Sequence, residues 1–167
     1  MLSLFTAVTV ILGIYATFRI GNQIKIPLKF ITVFMTGALF GPLSAGLVAA
    51  AADILNAVLV PVGPPMLQIT LVELFYGVVY GLSFYKAKNN NFYYLRTVIC
   101  ALVQFATGII ITTKILVDMG YFASFESAVI IRLPAAIITF ILHVLVMCVL
   151  KGAIFKMKEY IGKGNAQ

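Results

Sequence analysis

Charge is what this chain has least of. Only five of 167 residues are acidic, charged residues of both signs make up 10%, and 62% of the chain is hydrophobic. A soluble domain carries roughly 25% charged residues, so an ordinary water-exposed fold is excluded and the bilayer is the expected solvent. A single histidine excludes paired-histidine metal or acid–base sites. Cys100 and Cys148 both lie inside apolar runs, with no ligand at metal spacing, and read as packing thiols. No GxSxG, HExxH, CxxC or Walker A sequence occurs, which removes the common hydrolase and nucleotide-cleaving chemistries. An enzyme is therefore not expected, no cofactor or metal is expected, and any ATP hydrolysis must come from partner subunits. The net charge of +7 is scattered at the ends of apolar segments. It forms no stripe, and no nucleic-acid partner is expected. The first twenty residues lack a positive n-region and a small-residue cleavage site, so they are read as a retained first span.

What the chain does have is apolar length. Six segments stand out, at about 2–18, 30–41, 43–60, 67–85, 95–117 and 127–150. Continuous runs of Ala, Leu, Ile and Val without period-two alternation argue against a membrane β-barrel. The expectation is an all-α membrane protein: a bundle of six transmembrane helices forming one integral domain over 1–167, with an outward-facing ligand pocket. The second segment is too short to cross alone as a straight helix unless the loop beside it dips into the membrane. Gly41-Pro42 and the run PVGPP, 61–65, break segments two, three and four apart. Lys86, Lys88, Arg96, Lys151, Lys156, Lys158 and Lys163 gather on one side of the six spans, against Arg19, Lys25 and Lys29 on the other. The bias of basic residues toward cytoplasmic loops then puts both termini in the cytoplasm.

Four charges fall within the apolar segments: Asp53, Glu73, Lys114 and Arg132. At 1.5 Å per residue, Asp53 and Glu73 lie about 10 Å below the outer ends of their helices, and the two cations are also in the outer half. A charge inside a membrane costs several kcal/mol unless it is paired or wet, so their common depth suggests a water-accessible pocket. The alternative is that Asp53 with Arg132, or Glu73 with Lys114, form structural pairs that fix helix register. Helical spacing groups Glu73 with Tyr76 and Tyr80, and Arg132 with Ala136, Thr139 and His143. It also groups Lys114 with Gln104 and Gly108, and Asp53 with Asn56. His143 reads as a packing histidine. Thr9, Gly13 and Thr17 recur every fourth residue on the first segment, a flat face for an external partner or for segment two.

The string FITVFMTGALFGPLSAGLVAAAADILNAVLVPVGPPMLQITLVELFYGVVYGLSFYK, with its G-x-L-F-G-P corner, internal Asp53, Pro-Gly loop and Tyr80-Gly81-Leu82, resembles the S components of energy-coupling factor vitamin transporters. AVIIRLPAAIITFILHVLVMCVLK, with Arg132 two residues before Pro134, is similar to that family's last segment. Together these cover residues from about 25 to 155, and the pattern is closest to the folate type. The resemblance implies a binding subunit in the bacterial plasma membrane that captures a vitamin, folate or a related heterocycle. It also implies docking on a membrane coupling protein and two ATPase subunits. Lys25, Lys29, Gln68, Glu73, Tyr76, Lys114 and Arg132 are the expected substrate-binding residues, Asp53 and Asn56 polar pocket or structural residues, and Thr9, Gly13 and Thr17 the partner-docking face. Another vitamin such as thiamine, a self-sufficient small facilitator and, least favoured, a membrane enzyme are the alternatives.

Overall fold

The computed structural model describes residues 1–20, 24–60, 67–87 and 92–164, with the side chains of 17–27 and 161–164 outside that description. Helix α1 (Leu2–Tyr15) is followed by an antiparallel ribbon of β1 (Thr17–Ile20) and β2 (Ile24–Pro27), then α2 (Phe30–Phe40), α3 (Pro42–Leu59) and α4 (Leu67–Phe84). A long rod comes next: α5 (Phe92–Thr107), a π-helical turn (Gly108–Thr112) and α6 (Thr113–Asp118). α7 (Phe125–Val149) and α8 (Lys151–Gly164) complete the described chain.

Two features depart from the sequence expectation. The first apolar segment is not helical to residue 18: α1 stops at Tyr15, and Arg19 pairs with Lys25 in the ribbon register. Leu28 N–H donates to the Ala16 carbonyl at 3.1 Å and closes the base of this hairpin. The fold is thus helical with one small ribbon. The second departure is α8, a helix beyond the last of the six apolar segments.

Among the described residues, four helices are long and apolar enough to cross a membrane: 42–59, 67–84, 92–118 and 125–149. α1 and α2 are apolar but shorter, at 14 and 11 residues. Eleven residues reach only about 16 Å, half of a hydrocarbon core. Large apolar side chains such as Leu4, Val58, Leu82, Ile130 and Val149 stand exposed on the helix flanks, as expected where lipid replaces water.

Glycines decide how the middle helices meet. Gly41 adopts φ 96° between α2 and α3, a backbone conformation that side chains disfavour, and Pro42 follows at the first position of α3, where a missing N–H is harmless. A Cβ on Gly77 would run into the backbone of Ala45 and Gly46, and one on Gly81 into that of Pro42. Because both lack it, α3 and α4 touch backbone to backbone. At the α8 end, Phe34, Tyr80, Phe84, Tyr93, Met147 and Ile154 form a closed core. The Phe34–Phe84 ring centroids are 5.0 Å apart at 86°, and Tyr93 Oη donates to the Met147 carbonyl at 2.9 Å. Lys158 of α8 caps the exit of α4 by donating to the Phe84 and Tyr85 carbonyls at 2.8 and 2.9 Å; burial pushes the pKa of its ammonium down.

Candidate ligand-binding cavity

Above this closed core, α4, the α5–α6 rod and α7 enclose a cavity of about 610 Å³, with the start of α2 supplying Lys29, Phe30 and Val33. Pockets for small organic molecules span roughly 300–1,000 Å³. Most of the wall is apolar or aromatic, including Val72, Phe105, Tyr121, Phe122 and Phe140. Polar groups occupy two levels. Lys29, Glu73, Tyr76, Thr112 and Arg132 form one, while Tyr80, Gln104 and His143 form the floor.

The upper level is built around Lys29, the residue just before α2. Its Nζ lies 2.9 Å from Glu73 Oε1 on α4 and 3.4 Å from Asp53 Oδ1 on α3. Thr70 Oγ1 donates to the other Asp53 oxygen at 2.8 Å. One cation thus ties the beginning of α2 to two neighbouring helices. The side chains of Lys29, Asp53 and Glu73 are 13, 19 and 21% exposed, so a little water reaches each of them. Across the cavity, Arg132 Nη1 donates to Thr113 Oγ1 at 2.7 Å. Among the described residues no carboxylate lies within ion-pair distance of Arg132. On the floor, Tyr80 Oη donates to Gln104 Oε1 at 2.9 Å, and the Gln104 amide points toward Cys100 Sγ at 3.8 Å. The His143 ring packs on Phe30 with centroids 4.0 Å apart.

Of the residues singled out by sequence, Lys29, Glu73, Tyr76 and Arg132 line the cavity. Asp53 stands one contact behind it, holding Lys29. Lys114 and Gln68 are exposed and do not line it, and the Lys25 side chain lies outside the description, as does the 61–65 loop. The two ion pairs considered from sequence, Asp53 with Arg132 and Glu73 with Lys114, do not form; Lys29 takes both carboxylates instead. Asn56 is drawn away from the cavity: its side chain abuts Gly13 of α1, and its Oδ1 is buried without a hydrogen-bond partner among the described residues. Thr9 is fully buried and bonds to Thr32 of α2 at 2.8 Å. At Thr9 and Gly13, therefore, the small-residue face of α1 is engaged by the protein's own α2 and α3. The Thr17 side chain is outside the description.

Sequence reasoning passed over His143 as a ligand neighbour, and it passed over Thr112, Thr113, Tyr121 and Phe122. An aromatic pair inside an otherwise polar connection was the available signal for the last two.

The chain is similar over residues 1–156 to the family model described as ECF-type riboflavin transporter, S component. The curated protein Folate transporter FolT of Clostridium novyi (strain NT) is 42% identical over 65 residues, which are 39% of this chain and 38% of that protein. The match therefore spans well under half the length of that relative. A solved structure described as FolT bound with folic acid superposes with a TM-score of 0.79 and 24% identity, covering 91% of this chain and 90% of that one. That likeness establishes the fold.

Proposed function

The chain belongs to the family of ECF-type riboflavin transporter S components, and from that premise we propose that it is the substrate-binding membrane subunit of a vitamin uptake transporter whose ligand is folate or a close acidic relative. The observation that carries the ligand class is the distribution of charge in the cavity. Lys29 is shared by Asp53 and Glu73, while Arg132 lines the same cavity with its guanidinium on a neutral hydroxyl and in no ion pair among the described residues. A sequestered guanidinium without a counter-charge is costly, and a ligand carboxylate removes that cost with charge-assisted hydrogen bonds. The aromatic wall suits a flat heterocycle by stacking, and Tyr80, Gln104 and His143 offer hydrogen-bonding groups to its polar edge. Glu73 shares Lys29 with Asp53, so that cluster keeps one negative charge in excess, and a cationic ring such as thiamine is the competing ligand class.

In the proposed arrangement the six apolar segments lie in the plasma membrane of a bacterium as one domain, with both termini in the cytoplasm and the cavity opening outward. The aromatic core below the cavity keeps the inner side shut, so delivery requires the membrane coupling protein and the two ATPase subunits of an ECF module. The matching family description favours a second ligand, riboflavin, which also carries a flat heterocycle but has no carboxylate for Arg132.

Calorimetry on the purified protein, without ATP or any partner, separates these. Folic acid should bind with submicromolar affinity and riboflavin at least a hundredfold more weakly. Tight riboflavin binding with no folic acid binding overturns the ligand assignment, and binding of none of folic acid, riboflavin, thiamine, pyridoxine and queuosine precursors overturns the binding-subunit proposal.

A further inference from the structure

The cavity wall contains an irregularity that bears on Arg132. Several buried or half-buried helical threonines donate their hydroxyl to the carbonyl four residues back: Thr9 to Phe5, Thr36 to Thr32, Thr97 to Tyr93, Thr107 to Val103 and Thr139 to Ala135; Thr32 reaches the Lys29 carbonyl three back, and Thr70 the Asp53 carboxylate. Thr113 differs. Its hydroxyl donates five residues back, to the Gly108 carbonyl at 3.4 Å, because Gly108–Thr112 is a π-helical turn. Such turns are rare and concentrate at functional sites. Thr113 itself is fully buried, and its Oγ1 accepts the 2.7 Å hydrogen bond from Arg132. A hydroxyl has one proton. With that proton turned toward Gly108, the oxygen lone pairs are available to the guanidinium, and the β-branched side chain has little rotamer freedom with which to move.

We infer that Thr113 is a positioning residue for ligand binding: held by the π-helical turn, its hydroxyl fixes the Arg132 guanidinium so that the remaining donors face the cavity and receive an anionic group of the ligand. This rests on the carboxylate-bearing ligand proposed above. Thr113 does not line the cavity and acts only through Arg132. An arginine without this tether samples several rotamers, and a ligand carboxylate must then supply the ordering.

The test compares Thr113→Val, which keeps the shape and removes the hydroxyl, with Thr113→Ser, which keeps the hydroxyl. Each is titrated with folic acid and with its uncharged dimethyl ester, alongside the parent protein, after thermal melts show which variants fold. Thr113→Val should weaken folic acid binding on the order of tenfold and change ester binding less than twofold, and Thr113→Ser should restore folic acid to within about threefold of the parent. Equal weakening of both ligands by Thr113→Val, or no weakening of either, overturns the positioning role. Should Thr113→Val fail to fold, Thr113→Ser with parental acid-over-ester discrimination supports the role, and loss of discrimination in that variant overturns it. A parent protein that binds folic acid and its ester equally well refutes the carboxylate anchor itself, a failure distinct from that of Thr113.

Discussion

Removing the charge of Lys29 should destabilise the protein through its carboxylates. Lys29→Met keeps an unbranched apolar stem and deletes only the ammonium. Asp53 on α3 and Glu73 on α4, 3.4 and 2.9 Å from Lys29 Nζ in the parent, then repel each other with no cation between them. At an effective dielectric of about 20, each lost contact carries a gross attraction of about 5 kcal/mol, most of it offset by desolvation. Breaking a buried pair costs about 3–5 kcal/mol net. Because these side chains keep 13–21% exposure, a loss of about 2–3 kcal/mol is the better expectation. For a chain of this length that is roughly a 5–10 °C fall in Tm. Melts monitored by circular dichroism, in one detergent at pH 7 without ligand, read it directly. A cycle with Glu73→Gln adds the mechanism: once one carboxylate is neutralised, Lys29→Met should cost at least about 1 kcal/mol less than it does in the parent. If Lys29→Met melts within 1 °C of the parent, or the two substitutions add without coupling, the three-residue ion cluster does not hold α2 to α3 and α4.

Three further outcomes follow from particular contacts. Gly81→Ala puts a methyl against the Pro42 backbone, which cannot yield as a side chain would; it should cost about 3 kcal/mol or more. Gly152→Ala, in open space on α8, should be neutral or stabilising by up to about 1 kcal/mol, and parallel denaturant or thermal curves compare the two. Tyr93→Phe deletes the bond to the Met147 carbonyl and should cost about 1–2 kcal/mol with no change in ligand affinity. Arg132→Gln should weaken folic acid binding at least tenfold, whereas Lys114→Gln, outside the cavity lining, should leave it within twofold, as measured by calorimetry.

Most helix positions were readable because a membrane segment announces itself by continuous apolarity. Helices Phe30–Phe40, Pro42–Leu59 and Leu67–Phe84 each end within one residue of the apolar segments, and Gly41-Pro42 marks a real break because a positive φ is followed there by a residue lacking an N–H. The ribbon was not readable in the same way. Thr17 and Phe18 continue the apolar run of α1 without interruption, and whether they coil or pair depends on a partner strand, Ile24–Pro27, that local composition does not reveal. α8 escaped for the opposite reason: its lysines end the apolar run, and a criterion of continuous apolarity is blind to an amphipathic helix.

For the cavity, helical periodicity worked where the helix is regular and failed where it is not. Glu73, Tyr76 and Tyr80 share a face of α4, and Arg132, Ala136, Thr139 and His143 a face of α7; all of them line the cavity. The α5–α6 rod behaves differently. In an uninterrupted helix of 3.6 residues per turn, Thr112 and Lys114 lie about 80° to either side of Gln104, so either has an equal claim to the cavity face. A wider turn between Gly108 and Thr112 advances the chain by fewer degrees per residue and rotates everything beyond it in one sense. Thr112 swings onto the cavity face and Lys114 swings off it, which is where the two are found. Nothing in GIIIT signals that turn, since each residue would also serve an ordinary helix. One inserted backbone step therefore has two effects: the turn that removes Lys114 from the wall also seats Thr113 against Arg132 of α7. An engineered deletion of Ile110 restores regular helix and puts Thr112 and Lys114 seven and nine residues beyond Gln104, about 20° and 180° from it, so Thr112 should stay on the wall, Lys114 off it and Thr113 against Arg132; folic acid affinity within about threefold of the parent by calorimetry is the expected result, and a loss beyond about tenfold refutes the account of the turn as one inserted residue.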